Sequence, residues 1–359
     1  MKEFDINEIE FVSGDSGSFA IYKDVYYKIN DTAKVIIEDL QKGYTSFDIA
    51  AKYQISEVDI SKLLETFNQK KKESIFGKFV LLPKVACNQL GCVLQYLVPQ
   101  KSIITISVII SFIVSIFLSF NYSAPITNIS ISKAFFVFFS ILLWHELGHV
   151  SAAYKKGIYD LQIRLGFYLI FPVTHVDMNS IYKLTHKQRL IIDMGGLFFQ
   201  MILGIVFFLL SLSTGNSLYT LAFEENLMII IYNLIPYQIS DGHWIYSDFF
   251  EIDNLNNKSK RFVKSIFKKE YRSRSITLPV KVYSVFNTIF ITFLTGYSIA
   301  VLGLRIFTFR YIYDSLITTN FAVSEILKAC WLLYPYCLLF IFIITKVNGY
   351  SKNMDKGKK

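Results

Sequence analysis

Long apolar blocks constrain this chain more than any other feature. Six of them lie near residues 102–120, 132–153, 190–213, 218–236, 280–304 and 326–346. Each is long enough, or nearly so, to cross about 30 Å of hydrocarbon as a helix. They predict a mainly α, polytopic membrane protein built on a six-span helical bundle. The fourth block contains Glu224 and Glu225, so it is expected to be short, tilted or partly covered by its neighbours. A hydrophobic fraction of 53% over 359 residues excludes an ordinary soluble domain.

The placement of charge predicts the topology. The connections 121–131 and 214–217 contain no Lys or Arg, and 305–325 holds only Arg305 and Arg310. The other connections are basic: Lys70, Lys71, Lys72, Lys155, Lys156, Lys183, Lys187, Arg189, the run 258–274 and the stretch "SKNMDKGKK". Basic-rich and basic-poor connections alternate in register with all six spans, which places both termini in the cytoplasm of a cell-membrane protein. The net charge of +9 therefore implies contact with anionic lipid headgroups rather than nucleic acid. The acidic, polar start "MKEFDINEIEFVSGDSG" reads as no signal peptide, leaving targeting to an internal span. Cys87, Cys92, Cys330 and Cys337 form no C-x-x-C pair and read as buried or reduced thiols.

Residues 1–73 read as a separate small α+β domain, 74–101 as a connector containing Pro83 and Pro99, and 102–350 as the membrane-embedded domain. "SFAIYKDVYYKIN" alternates and is rich in aromatic and β-branched residues, which predicts a β-hairpin turning at Lys23-Asp24. Asp31 is the expected N-cap of a helix ending at Gly43. Further short helices are expected after Thr45 and after Ser56, the latter with Asp59 in an imperfect capping box. Strands followed by three helices suit a winged-helix-like domain. However, residues 1–73 hold 10 Lys/Arg against 14 Asp/Glu, a net of −4, and lack the basic footprint of a DNA binder.

Chemistry concentrates in "FFSILLWHELGHVSAAY", where ionisable groups stand inside an apolar block. His145 and His149 are four residues apart and share one helix face, with Glu146 beside them. This is the H-E-x-x-H arrangement, in which two imidazoles bind zinc and the glutamate is the general base. A hydrolytic zinc needs a third protein ligand, and "NLIPYQISDGHW" offers Asp241 at the cytoplasmic end of the fourth block. By the topology above, His145 and His149 also lie toward that face.

H-E-L-G-H in an apolar helix, followed by N-x-x-P-x-x-x-x-D-G at the end of another, resembles the site-2 protease family of intramembrane zinc metalloproteases. "RLIIDMGGLFFQMILGIV" resembles that family's glycine-containing helix, with Gly195-Gly196 where the family often has Gly-Pro. The resemblance covers roughly residues 130–250. It implies one zinc ion on His145, His149 and Asp241, Glu146 as the base, and Asn233 near the substrate. It also implies a membrane-associated β-hairpin between the second and third spans, where "LQIRLGFYLIFPVTHVDM" is too irregular for a span. Within the first domain, about residues 15–72 resemble the PqqD-like RiPP recognition element. That resemblance implies capture of a precursor peptide's leader, which would add a strand to the sheet edge.

The remaining histidines read differently. His243 is two residues from Asp241, within reach of zinc-bound water or substrate, or else is an exposed loop histidine. His175 and Asp177 read as a polar loop tip, and His186 as an interfacial residue in a basic run. Together these features predict a membrane zinc endopeptidase that cleaves a small ribosomally synthesised precursor peptide. A protease cutting a membrane-bound signalling protein such as an anti-sigma factor is the alternative within the class. A non-proteolytic peptide exporter or immunity protein is the alternative outside it, and the general base Glu146 argues against that.

Overall fold

A computed structural model describes residues 5–14, 17–22, 25–68, 79–122, 124–126, 129–168, 171–237, 240–267 and 276–293, with positions 296, 300 and 303. The apolar block at 326–346, Cys330, Cys337 and the Lys23-Asp24 turn lie outside the described residues.

The N-terminal domain holds three antiparallel strands rather than two: β1 (Glu10–Gly14), β2 (Gly17–Tyr22) and β3 (Val25–Ile29), in the order β1-β2-β3. The register sets Phe11 opposite Ala20 and Ala20 opposite Tyr27. Three helices follow: α1 (Asp31–Gln41), α2 (Ser46–Tyr53) and α3 (Glu57–Asn68). Asn30, not Asp31, caps α1, its side chain accepting from the Ala33 amide at 2.8 Å. The preceding residue wins because it keeps an extended backbone while Asp31 is already helical. Thr45 and Asp48 close a capping box on α2. Ser56 accepts from the Asp59 amide at 3.2 Å ahead of α3.

The core of this domain joins Ile9, Ala20, Tyr22, Ile37 and Phe67 from strands and helices. Ile36, Ile49 and Ile60 seal the helices together. The one carboxylate buried there among the described residues, Asp39, is satisfied by Lys52 Nζ and Tyr53 OH, each at 2.8 Å.

The segment between the two expected domains is ordered into β4 (Phe79–Leu82) and α4 (Lys84–Leu94). Among the described residues, three helices are long and apolar enough to cross a membrane: α5 (Ser102–Tyr122), α6 (Ile131–Lys155) and α7 (His186–Thr214). The fourth block forms α8 (Ser217–Leu234), an 18-residue helix that carries Glu224, Glu225 and Asn226 within it. Between α6 and α7 the chain makes β5 (Ile163–Tyr168) and β6 (Phe171–Val176), which join β4 in a sheet of order β4-β5-β6. The hairpin of the sequence reading is thus part of a three-stranded sheet whose third strand comes from the connector.

α7 is the organising helix. Thr185 and Gln188 close a capping box at its start, and Gly215 in the left-handed region ends it. It meets α6 where glycines allow backbones to touch: a Cβ on Gly148 would clash with the Gly195 carbonyl, and one on Gly195 would come within 2.6 Å of the Gly148 carbonyl. Trp144 of α6 adds a hydrogen bond to the Phe199 carbonyl at 3.0 Å. On its other side, Leu197 and Phe208 pack with Phe112 of α5 and with Phe223 and Ile230 of α8. The short helix α9 (Asp241–Phe249) follows α8. Two further helices, α10 (Leu255–Phe267) and α11 (Leu278–Phe293), belong to a second compact unit. α11 coincides with part of the fifth apolar block.

Candidate metal centre

α6 presents His145, Glu146 and His149 from its second half, all buried, at 4%, 6% and 2% exposure. The i, i+4 spacing stacks the two imidazoles on one face, and their Nε2 atoms stand 3.1 Å apart. Asp241, first residue of α9, brings Oδ2 to 2.9 Å from His145 Nε2 and 3.5 Å from His149 Nε2. Two features of the chain place it there. Ser240 ties the preceding turn together by accepting from the Tyr237 amide at 3.3 Å and donating to the Tyr237 carbonyl at 3.1 Å. Gly242 then lets α9 begin against the end of α8, where a Cβ would lie 2.6 Å from the Leu234 carbonyl.

The protons of this cluster are placed by its surroundings. His149 Nδ1 faces the Ile192 carbonyl at 2.8 Å, and His145 Nδ1 faces Gln200 Oε1 at 2.9 Å. Both partners accept, so both Nδ1 atoms donate and both Nε2 atoms turn lone pairs inward. The carboxylate oxygen they meet, Asp241 Oδ2, is buried and has no hydrogen-bond donor among the described residues. Three electron-rich atoms therefore converge with no proton between them, an arrangement a cation resolves. A tetrahedral zinc with bonds near 2.0–2.1 Å sets its donors about 3.3 Å apart, and the observed 2.9–3.5 Å brackets that figure. The donor set of two imidazoles and one carboxylate fits zinc with a position left for water.

Glu146 points to the same end of α6 and accepts a hydrogen bond from Thr174 Oγ1 of β6 at 3.0 Å. Gly196 is what admits the imidazoles against α7, since a Cβ there would lie 2.5 Å from His145 Cε1 and 2.6 Å from His149 Nε2.

The other sequence candidates are not among the three converging donors. Asn233 is half-buried on the last turn of α8, with no hydrogen bond to the three donors among the described residues. His243 is not an exposed loop residue: it sits in the first turn of α9 at 2% exposure, because Gly242 lets that turn approach α8. Burial pushes its pKa down to about 4, against the pull of Asp248. His175 is exposed on β6, and Asp177 lies 3.7 Å from Arg164. His186 is no bystander in a basic run, for its Nδ1 is 2.8 Å from Asp248 Oδ1. Sequence reasoning missed Gln200, Thr174, Arg189 and Asp248. Of these, Gln200 carried a signal, being a polar residue in the middle of an apolar block.

No family model matches the chain. Over 118 residues it is 30% identical to a Bacillus subtilis (strain 168) protein described as "Putative peptide zinc metalloprotease protein YydH". The match covers 32% of this chain and 46% of that protein, so it spans less than half of the relative's length. This likeness supports a zinc metalloprotease, in keeping with the donor set above.

Proposed function

We propose that the chain is a membrane-embedded zinc endopeptidase of the site-2 protease type, which cleaves a small ribosomally synthesised precursor peptide. The observation that carries the reading is the convergence of His145, His149 and Asp241 beside a buried glutamate. Zinc held by those three would polarise the scissile carbonyl and acidify a water. Glu146 takes the proton of the attacking water and delivers it to the leaving amine. Thr174 keeps one carboxylate oxygen of Glu146 occupied, which orients the other toward the reacting water. The bundle around the site excludes bulk solvent and strengthens these charge interactions.

The substrate must be extended, because a helix hides its carbonyls in its own hydrogen bonds. β6 is the outer strand of its sheet and already touches Glu146 through Thr174, so a strand added beside it would pass the base. In the N-terminal domain β3 is likewise an outer strand. A cleft of about 170 Å³ lined by Ala33, Ile36, Ile55, Ile60 and Leu63 lies between α1 and α3. We assign leader capture to this domain, which would raise the local concentration of peptide at the site. The name of the Bacillus subtilis relative, a peptide metalloprotease, supports a peptide substrate.

The test is co-expression of the full chain with the short peptides encoded beside its gene, with processing read by mass spectrometry. Glu146→Gln should keep one zinc per chain and abolish cleavage. Unchanged processing in that variant overturns the protease reading. Unchanged processing by a chain lacking residues 1–68 overturns leader capture alone.

A further inference from the structure

Two turns after Asp241, α9 carries Asp248, a carboxylate only 8% exposed. Arg189 of α7, 5% exposed, grips it with Nε at 3.1 Å from both oxygens and Nη2 at 2.9 Å from Oδ1. The remaining guanidinium nitrogen donates to the carbonyls of Leu184 at 3.1 Å and Tyr182 at 3.5 Å. His186 Nδ1 approaches the same Asp248 Oδ1 at 2.8 Å, and its Nε2 lies 3.6 Å from Asp253. Asp193, one turn beyond Arg189, is also buried, at 3% exposure. Among the described residues, Arg189, Asp248 and His186 make no hydrogen bond to the candidate donors.

A buried ion pair gives little net stability, because desolvating two charges offsets most of their attraction. Its geometric effect here is specific. Residues 241 and 248 are seven apart on one helix and fall on nearly the same face. Fixing Asp248 therefore fixes the rotation and height of Asp241. The anchor is α7, the helix that also holds His149 through the Ile192 carbonyl and His145 through Gln200. One helix thus references all three donors, two by hydrogen bonds to their rings and the third through Arg189.

We infer that the Arg189–Asp248 pair is a positioning device that sets Asp241 against His145 and His149, and that its loss weakens metal binding more than folding. The inference rests on the reading that the cluster holds zinc. Outer partners of metal ligands typically change affinity 10- to 100-fold, and a lever acting through the ligand's own helix falls in the same class.

The experiment uses the full chain in detergent micelles and measures zinc affinity by competition with a chromogenic chelator, beside the melting temperature of the metal-free protein. Asp248→Asn and Arg189→Gln should each weaken zinc binding at least tenfold, with Arg189→Lys between them and the wild type. Phe208→Ala, a core truncation away from the pair, should lower the melting temperature and leave zinc affinity within twofold. Zinc affinity within twofold of wild type in folded Asp248→Asn and Arg189→Gln overturns the inference. So does an equal loss in Phe208→Ala, which would mark a general effect of stability. Should Asp248→Asn fail to fold, Arg189→Lys decides, since it keeps the charge but not the two-pronged grip. If the wild type binds no zinc, or His149→Ala binds it equally well, the metal reading itself fails and the inference falls with it.

Discussion

Thr174 donates its hydroxyl proton to Glu146 Oε1 at 3.0 Å, across 28 residues of sequence and from a strand to a helix. The bond ties the edge where a substrate strand would lie to the group that would accept the water's proton. A hydrogen bond to a buried carboxylate contributes about 1.5–3 kcal/mol. Thr174→Val, which keeps the shape and removes the donor, should therefore reduce peptide cleavage on the order of tenfold or more. Metal content, measured by atomic emission, should stay at the wild-type value.

Gln200 is fully buried in α7 and accepts from His145 Nδ1 at 2.9 Å. Gln200→Leu leaves that ring without its partner and frees the tautomer. Zinc affinity should fall about 10- to 100-fold, as for other residues that orient a metal-bound imidazole. Chelator competition checks this, and an unchanged affinity would remove Gln200 from the site.

Gly196→Ala places a methyl group where both imidazoles pack. The helices must separate or the rings must turn. We expect a loss of about 1–3 kcal/mol in stability, as for overpacked cores, together with weakened zinc binding. Gly215→Ala, at a position with open space but a left-handed backbone, should lower the melting temperature without affecting zinc.

His243 is neutral in the folded chain, with a pKa near 4 against 6.5 for the free side chain. A folded value below the unfolded one means the unfolded chain binds the extra proton between these limits. The contribution to stability is thus fully present above about pH 6.5 and is lost as pH falls toward 4. Melting curves of the metal-free protein from pH 7.5 to 4 should decline less steeply in His243→Gln than in the wild type.

The sequence exposed the parts of the site that depend on local spacing. The four-residue spacing of His145 and His149 put both rings on one face, and Asp241 at the end of the fourth apolar block was the candidate third ligand. The groups that orient those residues were hidden, because Gln200 and Ile192 meet the histidines only through the packing of α6 on α7. Arg189 and Asp248, 59 residues apart, were hidden for the same reason. In the N-terminal domain the helix caps Thr45 and Ser56 were readable from their side chains. β1 was not, since "EFVSG" is too polar and too short to signal a strand until β2 pairs with it. Likewise "FVLL" at 79–82 is a strand only because Ile163, Arg164 and Leu165 lie alongside.

The three donors come from positions 145, 149 and 241, with all of α7 and α8 between them. A ribosome must therefore finish most of the bundle before they coexist. Early in synthesis the emerging chain offers only two imidazoles on a single helix. Metal capture at these donors would accordingly be a late act of assembly, completed by the first turn of α9. A polypeptide stopped short of Asp241 would keep the long apolar helices and lack one of the three donors.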